Sequence, residues 1–392
     1  MSNCEIKLNK KILVLTENFP PKSGGSGRWF WELYSRLPAD KVVVATNTDS
    51  GAADFDEACM LTIERLPLSS PEWGFRSMQG LRFYFQTVVA LRKIIKKHNI
   101  DEIHCGRVIH EGVSAWLLSL FTKIKYICFV HGEDVETAAT SGEHNMMVKQ
   151  VCKRAQYIIC NSKNSAEIVK RQEYANDAKL TILHPGVDAN IFVPASIDQA
   201  FKEKMGWTDK FVILTVGRLQ KRKGQDKMIE AMPLILKDYP NALYVIVGNG
   251  DCKDKLGAMV HDLSLSEQVQ ILGDISDAEM IQCYQQCDLF ILPNRTIKND
   301  IEGFGMVLVE AQACAKPVIA GDSGGTKETM LVGETGSIID CTCEKVIAKE
   351  ICTYMVDPKR CEIMGRKGRE HVEQHLDWDA HSKRAISQFN QT

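Results

Sequence analysis

Short apolar segments rich in β-branched residues alternate along this chain with segments of helical length, and this alternation limits the fold more than any other feature. The segments are KILVLT, KVVVATN, IDEIHC, KYICFVHG and YIICNS in the first half, and FVILTVGR, ALYVIVGNG, QVQILGDI, DLFILPN and KPVIAGDSGG in the second. Because they are apolar at nearly every position, we predict strands that are buried on both faces. Strands that alternate with helices indicate an α/β protein with doubly wound parallel sheets.

A segment without this alternation separates the two halves of the chain. LHPGVDANIFVPASIDQ, residues 183–199, contains two prolines and several turn-forming residues, and the strand pattern resumes at Phe211. We therefore predict two Rossmann-like domains of about five strands each, residues 1–185 and 186–369, that face each other across a cleft. Ligands of such sheets bind at the carboxyl ends of the strands, so the residues that follow the strands are the candidates for a site.

Charge and apolar content limit the partners and the location. The net charge is −2, from 48 basic and 50 acidic residues, which argues against nucleic acid as a partner. The N-terminus has no apolar signal core, and no apolar run approaches the ~20 residues that span a bilayer. We therefore expect a cytoplasmic protein.

Metal ligands are not evident in the sequence. The 14 cysteines are scattered without the paired spacing of zinc ligands, which favours reduced thiols. The Asp-x-Asp motif Asp54-Phe55-Asp56 lies in the polar segment GAADFDEA, where we predict a solvated loop. No metal site is predicted.

Two predicted strands of the first half lead into candidate ligand-binding residues. The first strand runs into KSGGSGRWFWEL, where Gly24 and Gly25 open a helix whose free N–H groups could bind an anion. This spacing matches neither a dinucleotide fingerprint nor a P-loop, and a flexible turn is the alternative. The fourth strand ends in HGED, which places His131 at the mouth of the cleft, with a structural histidine as the alternative.

In the second half, basic residues follow the strand FVILTV. Arg218 and Lys223 flank the loop between this strand and the next helix. A guanidinium and an ammonium group that converge on one point suit a diphosphate. Between them, Lys221 and Arg222 are predicted to be solvated loop charges.

The segment IEGFGMVLVEAQACA contains two glutamates, Glu302 and Glu310, around the predicted start of an apolar helix. The glycines before this helix would let a phosphate approach the backbone N–H groups. If the whole segment were helical, the glutamates would lie ~12 Å apart along the axis. That span matches a nucleotide sugar from its sugar hydroxyls to its ribose. The alternative is a capping carboxylate and a solvated helical glutamate.

Taken together, these motifs resemble the retaining glycosyltransferases of family 4, which have the GT-B fold. The resemblance covers nearly the whole chain and rests on GGSG, HGED, HPGVDANIF, VGRLQKRKGQD, VGNGD, ILGDI, EGFGMVLVEAQACAKPVIAGDSGG and GETG. The family also implies that the last helix, about residues 370–392, packs back on the N-terminal domain. The family motif AQACG reads AQACA here, with Ala315 in place of glycine, on the side of the helix away from the ligand.

The resemblance implies a role for each candidate residue. Gly24 and Gly25 would lie beside the diphosphate and sugar, His131 beside the transferred sugar, and Arg218 and Lys223 on the phosphates. Glu302 would bind the sugar hydroxyls and Glu310 the ribose. Backbone groups would bind the rest of the donor, from Gly303, Phe304, Gly305 and Met306 at the sugar and phosphates and from Ile275 near the base.

Within the family, PNRTIKNDIEGFG and AQACAKPVIAGDSGG are most similar to the phosphatidyl-myo-inositol mannosyltransferase branch, which uses GDP-mannose. This implies transfer of α-mannose to a glycolipid, lipid-linked or oligosaccharide acceptor in cell-envelope glycan biosynthesis, without a cofactor. Alternatives are a UDP-sugar-dependent glycosyltransferase, a nucleotide-sugar epimerase that needs no acceptor, and a non-catalytic sugar-nucleotide sensor. A nicotinamide dehydrogenase is disfavoured because no G-x-G-x-x-G follows the first strand.

Retention of configuration needs a carboxylate nucleophile or attack from the face that the leaving group departs from. No carboxylate is an evident nucleophile, so we favour front-face transfer, in which the leaving phosphate takes the acceptor proton. The predicted catalytic residues are His131, Arg218, Lys223 and Glu302.

Residues 73–98 combine aromatic and basic side chains. The aromatic and apolar ones include Trp73, Phe75, Met78, Phe83 and Phe85, and the basic ones include Arg76, Arg82, Arg92, Lys93, Lys96 and Lys97. Such a segment suits docking at the inner face of the cytoplasmic membrane, on anionic lipid. The alternative is an amphipathic helix packed on the sheet.

Overall fold

The computed structural model of the protein describes residues 7–22 and 24–390. The chain forms two compact units. The first contains the chain up to Pro185 together with the segment from Trp378 onward, and the second is Gly186–Asp377. Residues 1–6, on which the expectation of no signal core partly rests, lie outside the described residues.

The first unit is built on one parallel sheet. Its strands are β1 Ile12–Thr16, β2 Val42–Thr46, β3 Thr62–Arg65, β4 Glu102–Cys105, β5 Lys125–Val130, β6 Ile158–Cys160 and β7 Leu180–Ile182. The connecting helices are α1 Gly25–Tyr34, α2 Ala52–Ala58, α3 Met78–His98, α4 Val113–Ser119, α5 Glu133–Ala138, α6 Gly142–Arg154 and α7 Lys163–Arg171. The strands lie in the order β3-β2-β1-β4-β5-β6-β7.

The second unit has the same architecture. Its strands are β8 Phe211–Val216, β9 Ala242–Val247, β10 Val269–Gly273, β11 Leu289–Leu292, β12 Val318–Gly321 and β13 Gly336–Ile339. Its helices are α8 Gln199–Met205, α9 Gln225–Ile235, α10 Lys253–Asp262, α11 Asp277–Gln286, α12 Met306–Ala313, α13 Glu344–Val356 and α14 Pro358–His375. The strands are parallel and lie in the order β10-β9-β8-β11-β12-β13. The predicted α/β fold class, with doubly wound parallel sheets, is confirmed.

The strands of the second unit show why apolar runs predicted them so well. Successive side chains point to opposite faces of the sheet, and here each face carries its own core. Leu214 and Val245 belong to one buried cluster, whereas Ile213 and Tyr244 belong to the other. Because helices cover both faces, hardly any position in these strands can be polar.

Within the described residues, the sheets contain seven and six strands, which is more than the predicted five in each. The three strands that sequence patterns missed are β3, β7 and β13, and all three lie at sheet edges. Their residues are only partly buried, with TIER carrying two charges. Edge strands have one neighbour and less cover, so they do not need the continuous apolar pattern.

The C-terminal segment is not a single helix. Residues 370–375 finish α14, and a new helix, α15 Trp378–Asn390, begins after a break at Leu376 and Asp377. Residues 391–392 lie outside the described residues. Helix α15 contacts α1 in the first unit, where Phe389 stacks on Tyr34 at a centroid distance of 6.2 Å.

The structure bears on the predictions about membrane-spanning segments and about the Asp-x-Asp motif. Among residues 7–22 and 24–390, no helix combines the length and hydropathy needed to cross a bilayer. The prediction of a solvated loop at Asp54–Asp56 was wrong, because these residues lie in α2 and Asp56 accepts hydrogen bonds from the Arg65 guanidinium at 2.5 and 3.0 Å.

Each sheet has one place where the strand order reverses direction. In the first unit it lies between β1 and β4, and in the second between β8 and β11. At such a point the connections from the two strands lead to opposite faces, which opens a crevice at the carboxyl ends. The loops after these strands are therefore where the fold leaves space for ligands.

Candidate functional site

The loops after β8 and β11 meet in one ion-pair cluster of the second unit. The Glu302 carboxylate accepts hydrogen bonds from Arg222 Nη1 at 2.6 Å and Lys223 Nζ at 2.7 Å. Arg222 Nε also contacts Asp300 Oδ1 at 2.9 Å. We call Arg218, Arg222, Lys223 and Glu302 the cation cluster. Arg218 lies two residues after the end of β8 and is exposed.

The prediction for Arg222 was wrong. We expected a solvated loop charge, but its residue is only 5% exposed and its guanidinium pairs with two carboxylates. Residues Lys221–Lys223 form a 3-10 turn, which turns Arg222 and Lys223 inward and leaves Lys221 exposed, as predicted. The run KRK does not indicate which side chains point inward, and the partner glutamate lies 80 residues away.

Charge balance in the cluster is visible in two pKa shifts. Burial alone would raise the pKa of the Glu302 carboxyl, but Lys223 and Arg222 outweigh that effect and hold the pKa at about 2. Burial lowers the pKa of the Lys223 ammonium; Glu302 opposes this, whereas the charges of Arg222 and Arg218 add to it. Both pKa values are lowered, and the excess of positive charge around one buried carboxylate contributes to both shifts.

Backbone contacts fix the position of Glu302. The Gly325 N–H donates to the Glu302 carbonyl at 2.9 Å. Gly324 has a φ of +62°, and a Cβ atom there would lie 1.8 Å from the same carbonyl oxygen. Any side chain at this position would push the Glu302 backbone away. The glycines of GDSGG therefore support the glutamate.

The loop after β8 is held against the end of β11 in a similar way. The Arg295 N–H donates to the Arg222 carbonyl at 2.8 Å. The Arg295 guanidinium forms two hydrogen bonds with the Asp226 carboxylate, at 2.8 and 2.7 Å. Planar, paired contacts of this kind fix orientation as well as distance. The cation cluster is thus held by neighbours on both sides.

Helix α12 begins close to Glu302 in the chain. It starts at Met306, and Gly305 precedes it with a φ of +97° and no side-chain cap. Its first N–H groups have no partner within the helix, which favours anions. Phe304 is buried in the apolar core, so only its backbone could bind a ligand. Gly303 is half-buried between Glu302 and Phe304.

Because α12 starts at Met306, Glu302 and Glu310 do not share one helix, and the 12 Å spacing does not apply. Glu310 is buried, so the alternative of a solvated helical glutamate was wrong. Its carboxylate accepts a hydrogen bond from the Tyr284 hydroxyl at 2.7 Å. Its contact with a ribose stays a prediction.

Ile275 follows β10 in the same unit. It is half-buried and packs against the apolar core, directly before Ser276, which caps α11. Its neighbourhood to a nucleotide base stays a prediction.

In the first unit, His131 directly follows β5. Its Nε2 donates to the Gly106 carbonyl at 2.9 Å, so in the neutral ring Nδ1 carries the lone pair. The rings of Trp29 and Phe30 contact the imidazole edge to face, at centroid distances of 5.4 and 5.9 Å. The imidazole is therefore fixed in orientation, with Nδ1 as the nitrogen that could accept a hydrogen bond from a ligand.

Gly24 and Gly25 open α1, as predicted. Gly24 precedes the helix with a φ of 150° and, as a glycine, provides no side-chain cap for the first N–H groups. Both glycines are exposed, and a Cβ atom at either would meet no atom within 4 Å. In the described part of the chain, a small side chain at either position would therefore meet no steric obstacle.

Both halves of the chain match known families of one class of enzyme. Residues 197–371 match the glycosyl transferases group 1, and residues 23–191 match glycosyltransferase family 4. The two parallel α/β sheets and the similar solved structures define the GT-B class. The chain belongs to the group 1 glycosyltransferases of family 4, as its motifs predicted.

Two curated relatives align over almost their whole length. The chain is 29% identical to the GDP-mannose-dependent monoacylated α-(1-6)-phosphatidylinositol monomannoside mannosyltransferase of Corynebacterium glutamicum, covering 96% of this chain and 97% of the relative. It is 28% identical to the GDP-mannose-dependent α-(1-6)-phosphatidylinositol monomannoside mannosyltransferase of Mycolicibacterium smegmatis, covering 94% and 95%.

Solved structures share the fold at lower identity. HepE of Anabaena, in complex with UDP-glucose, has a TM-score of 0.81 and 20% identity over 98% of this chain and all of its own. Sucrose-phosphate synthase of Thermosynechococcus elongatus has a TM-score of 0.82 and 21% identity over 97% of this chain and 98% of its own.

Replacing Glu302 by glutamine should destabilise the second unit in a pH-dependent way. Near pH 7 we expect a loss of about 3–5 kcal/mol, because two buried cations lose their counter-charge. The folded-state pKa of about 2 lies below the ordinary 4.5. The carboxylate therefore stabilises the fold above pH 4.5, and this contribution is lost as the pH falls toward 2.

Urea unfolding at pH 7 and pH 3 measures this difference between Glu302→Gln and wild type. The matched control is Glu334→Gln in the same unit, where an exposed carboxylate pairs with Lys367 at 3.1 Å and contributes little. Equal unfolding free energies for Glu302→Gln and wild type at pH 7 would contradict the prediction.

Proposed function

We propose that the protein is a retaining α-mannosyltransferase that transfers mannose from GDP-mannose to a glycolipid or other lipid-linked acceptor. The observation that carries the proposal is the cation cluster at the crevice between β8 and β11. The names of the full-length relatives support GDP-mannose as the donor and a lipid-linked mannoside as the acceptor.

The cluster has the charge that a diphosphate needs. The Arg222 guanidinium and the Lys223 ammonium share one buried carboxylate, Glu302, while the second partner of Arg222, Asp300, is half exposed to solvent. The exposed Arg218 adds positive charge beside them. The positive charge of Arg222 and Lys223 exceeds the negative charge of Glu302 in this buried place before any ligand binds, and burial, with the charges of Arg222 and Arg218, lowers the pKa of Lys223. A bound diphosphate would neutralise that charge, and the N-terminus of α12 would add uncompensated N–H groups.

The same groups would act in the reaction. As the bond between the sugar and the phosphate breaks, negative charge develops on the leaving phosphate, and Arg218 and Lys223 would stabilise it. That phosphate would take the proton of the acceptor hydroxyl, which attacks from the same face. His131 would accept a hydrogen bond from a sugar hydroxyl through Nδ1, since Nε2 is engaged by Gly106. Glu302 would position the sugar and the two cations together.

A UDP-sugar donor is the second candidate. HepE, whose structure is in complex with UDP-glucose, shares the fold of this chain at 20% identity. The geometry of the cation cluster serves any nucleoside diphosphate, so the base must be tested directly. An epimerase would give product without an acceptor.

A donor panel separates these candidates. We expect GDP-mannose to raise the melting temperature more than UDP-glucose, UDP-N-acetylglucosamine or ADP-glucose at equal concentration, because a ligand that binds the native state stabilises it. Product analysis with n-octyl α-D-mannopyranoside should then yield an α-linked dimannoside, with or without EDTA. A larger shift with UDP-sugars, or isomerised donor without acceptor, would favour the alternatives.

Arg218→Ala should lower kcat by about 100-fold or more, because one charge-stabilising donor at the leaving group is lost. The control is Lys221→Ala, which removes an exposed charge from the same loop and should leave kcat within about twofold of wild type. Steady-state kinetics with the preferred donor measures both. Near-normal turnover by Arg218→Ala would contradict the proposal that Arg218 stabilises the leaving phosphate.

A lipid-linked acceptor requires access to a membrane surface, and helix α3 offers a suitable face. Four apolar side chains at helical spacing are exposed along it: Met78, Leu81, Phe85 and Val89. Exposed basic residues flank and continue this stripe: Arg82, Arg92, Lys93 and Lys96. Phe83, which we had included among the docking residues, is buried and faces the core. We propose that the exposed stripe docks on anionic lipid.

Vesicle flotation tests the stripe. The wild-type protein should float with vesicles that contain anionic phosphatidylglycerol at low salt, and Phe85→Ser should reduce the floating fraction, because a side chain that is 70% exposed leaves the lipid contact. Phe121→Ser is the control, since Phe121 is 81% exposed but lies outside α3. No flotation of wild type, or equal loss in both variants, would overturn the proposed docking face.

A further inference from the structure

The first unit contains a polar cluster at its own point of strand reversal, between β1 and β4. Glu17 directly follows β1, and His110 and Glu111 lie in the turn after β4. His110 and Glu111 are each only 1% exposed. We call Glu17, Trp73, His110 and Glu111 the polyol cluster. None of the proposed donor-binding residues belongs to it.

Several polar atoms of this cluster have no hydrogen-bond partner in the described part of the chain. Both ring nitrogens of His110, Oε2 of Glu111 and Nε1 of Trp73 are buried and unpartnered. An unpartnered buried polar atom costs about 1–3 kcal/mol, so four of them in one place are too many for a core that serves stability alone. Such groups point to a ligand or to ordered water.

The remaining contacts hold these groups in position. Glu111 Oε1 accepts from the Glu17 N–H at 2.9 Å, and Glu17 Oε1 accepts from the Ser69 hydroxyl at 2.8 Å. His110 Nε2 lies 4.0 Å from Glu17 Oε2, which is too far for a hydrogen bond. Glu17 is half-buried and Ser69 is exposed, so the hydrogen-bonded chain from Glu111 through Glu17 to Ser69 leads from the buried cluster to the surface.

Aromatic rings complete the cluster. The Trp73 ring is tilted by 35° over the His110 imidazole at a centroid distance of 5.0 Å, and Phe83 contacts the same imidazole edge to face at 5.3 Å. The Trp73 carbonyl accepts from the Tyr84 hydroxyl at 2.8 Å, which ties this loop to α3. The imidazole therefore cannot rotate freely to find another partner.

Resting on the proposed function, we propose that the polyol cluster binds neighbouring hydroxyl groups of the acceptor sugar. The free Glu111 oxygen would accept from one hydroxyl. The His110 imidazole, with one donor and one acceptor nitrogen, would serve a hydroxyl that both accepts and donates. The Trp73 N–H would donate to a third oxygen. Trp73 lies five residues before Met78, at the start of the exposed stripe of α3, so a lipid-linked sugar could reach the cluster from that side.

Acceptor kinetics tests the assignment, with n-octyl α-D-mannopyranoside as the probe. Glu111→Gln keeps the oxygen that binds the Glu17 N–H and converts the free oxygen into a donor. His110→Phe keeps the aromatic contacts and removes both nitrogens. Each should raise the KM for the probe by about tenfold, the ratio that 1.4 kcal/mol gives, while the Kd of the donor and its slow hydrolysis by water stay unchanged.

The matched control is Tyr174→Phe, which also removes a buried, unpartnered polar atom from the first unit. Tyr174 follows the end of α7. Because helices of such units run back against the strands, Tyr174 lies near the amino ends of the strands, whereas the polyol cluster lies at their carboxyl ends. The variant should leave the KM for the probe unchanged. Equal KM values for wild type, Glu111→Gln and His110→Phe, all folded, would mean that water alone occupies the cluster and would overturn the proposal.

Direct binding separates failure of the subsite from failure of the proposed function. If wild type transfers no sugar but binds the probe in saturation-transfer NMR, and Glu111→Gln loses that signal, the subsite stands and mannosyl transfer does not. If wild type neither transfers to the probe nor binds it, the polyol assignment is wrong. Donor-induced thermal shifts that persist in that case would still support a glycosyltransferase with another acceptor.

Discussion

The Glu302 carboxylate, shared by Arg222 and Lys223, is the interaction on which the second unit's site depends. Without it, two buried cations that are consecutive in the loop after β8 would repel each other in a medium that screens charge poorly. With it, the loop after β8 and the loop after β11 hold one geometry before any ligand arrives. Arg218 and the start of α12 then have fixed surroundings in which an anion can be bound.

The glycines around this carboxylate follow from the same requirement. Gly324 lets the backbone of the GDSGG turn approach the Glu302 carbonyl, and Gly224 does the same for Pro293, whose carbonyl oxygen would lie 1.7 Å from a Cβ atom there. Sequence motifs rich in glycine are easily assigned to direct phosphate contact. In this chain these two positions serve close approach of backbone to backbone.

Sequence patterns predicted the fold well because burial on both faces of a sheet leaves a continuous apolar signal. All ten predicted strands exist, and the strands that were not predicted, such as β13, lie at sheet edges, where partial exposure removes that signal. The site was harder to predict from the sequence than the fold. Patterns identified the loops that carry charge, yet they misjudged Arg222, because its direction depends on a 3-10 turn and on a glutamate 80 residues away. Patterns also gave no sign of His110 and Glu111, because an unpartnered buried side-chain atom is visible only in the folded structure.

The two units differ in how their buried polar groups are satisfied, and the difference suits different ligands. In the cation cluster, Glu302 and its two cations are already paired. A diphosphate has a constant shape and charge, so a site with fixed charges suits it. Charges that are fixed in advance need no rearrangement at the moment of reaction. In the polyol cluster, four buried polar atoms have no hydrogen-bond partner in the described part of the chain. A site of that kind discriminates strongly, because a molecule that lacks one hydroxyl leaves a buried group unpaired. Selectivity for the acceptor would thus come from the first unit, and tight binding of the donor from the second.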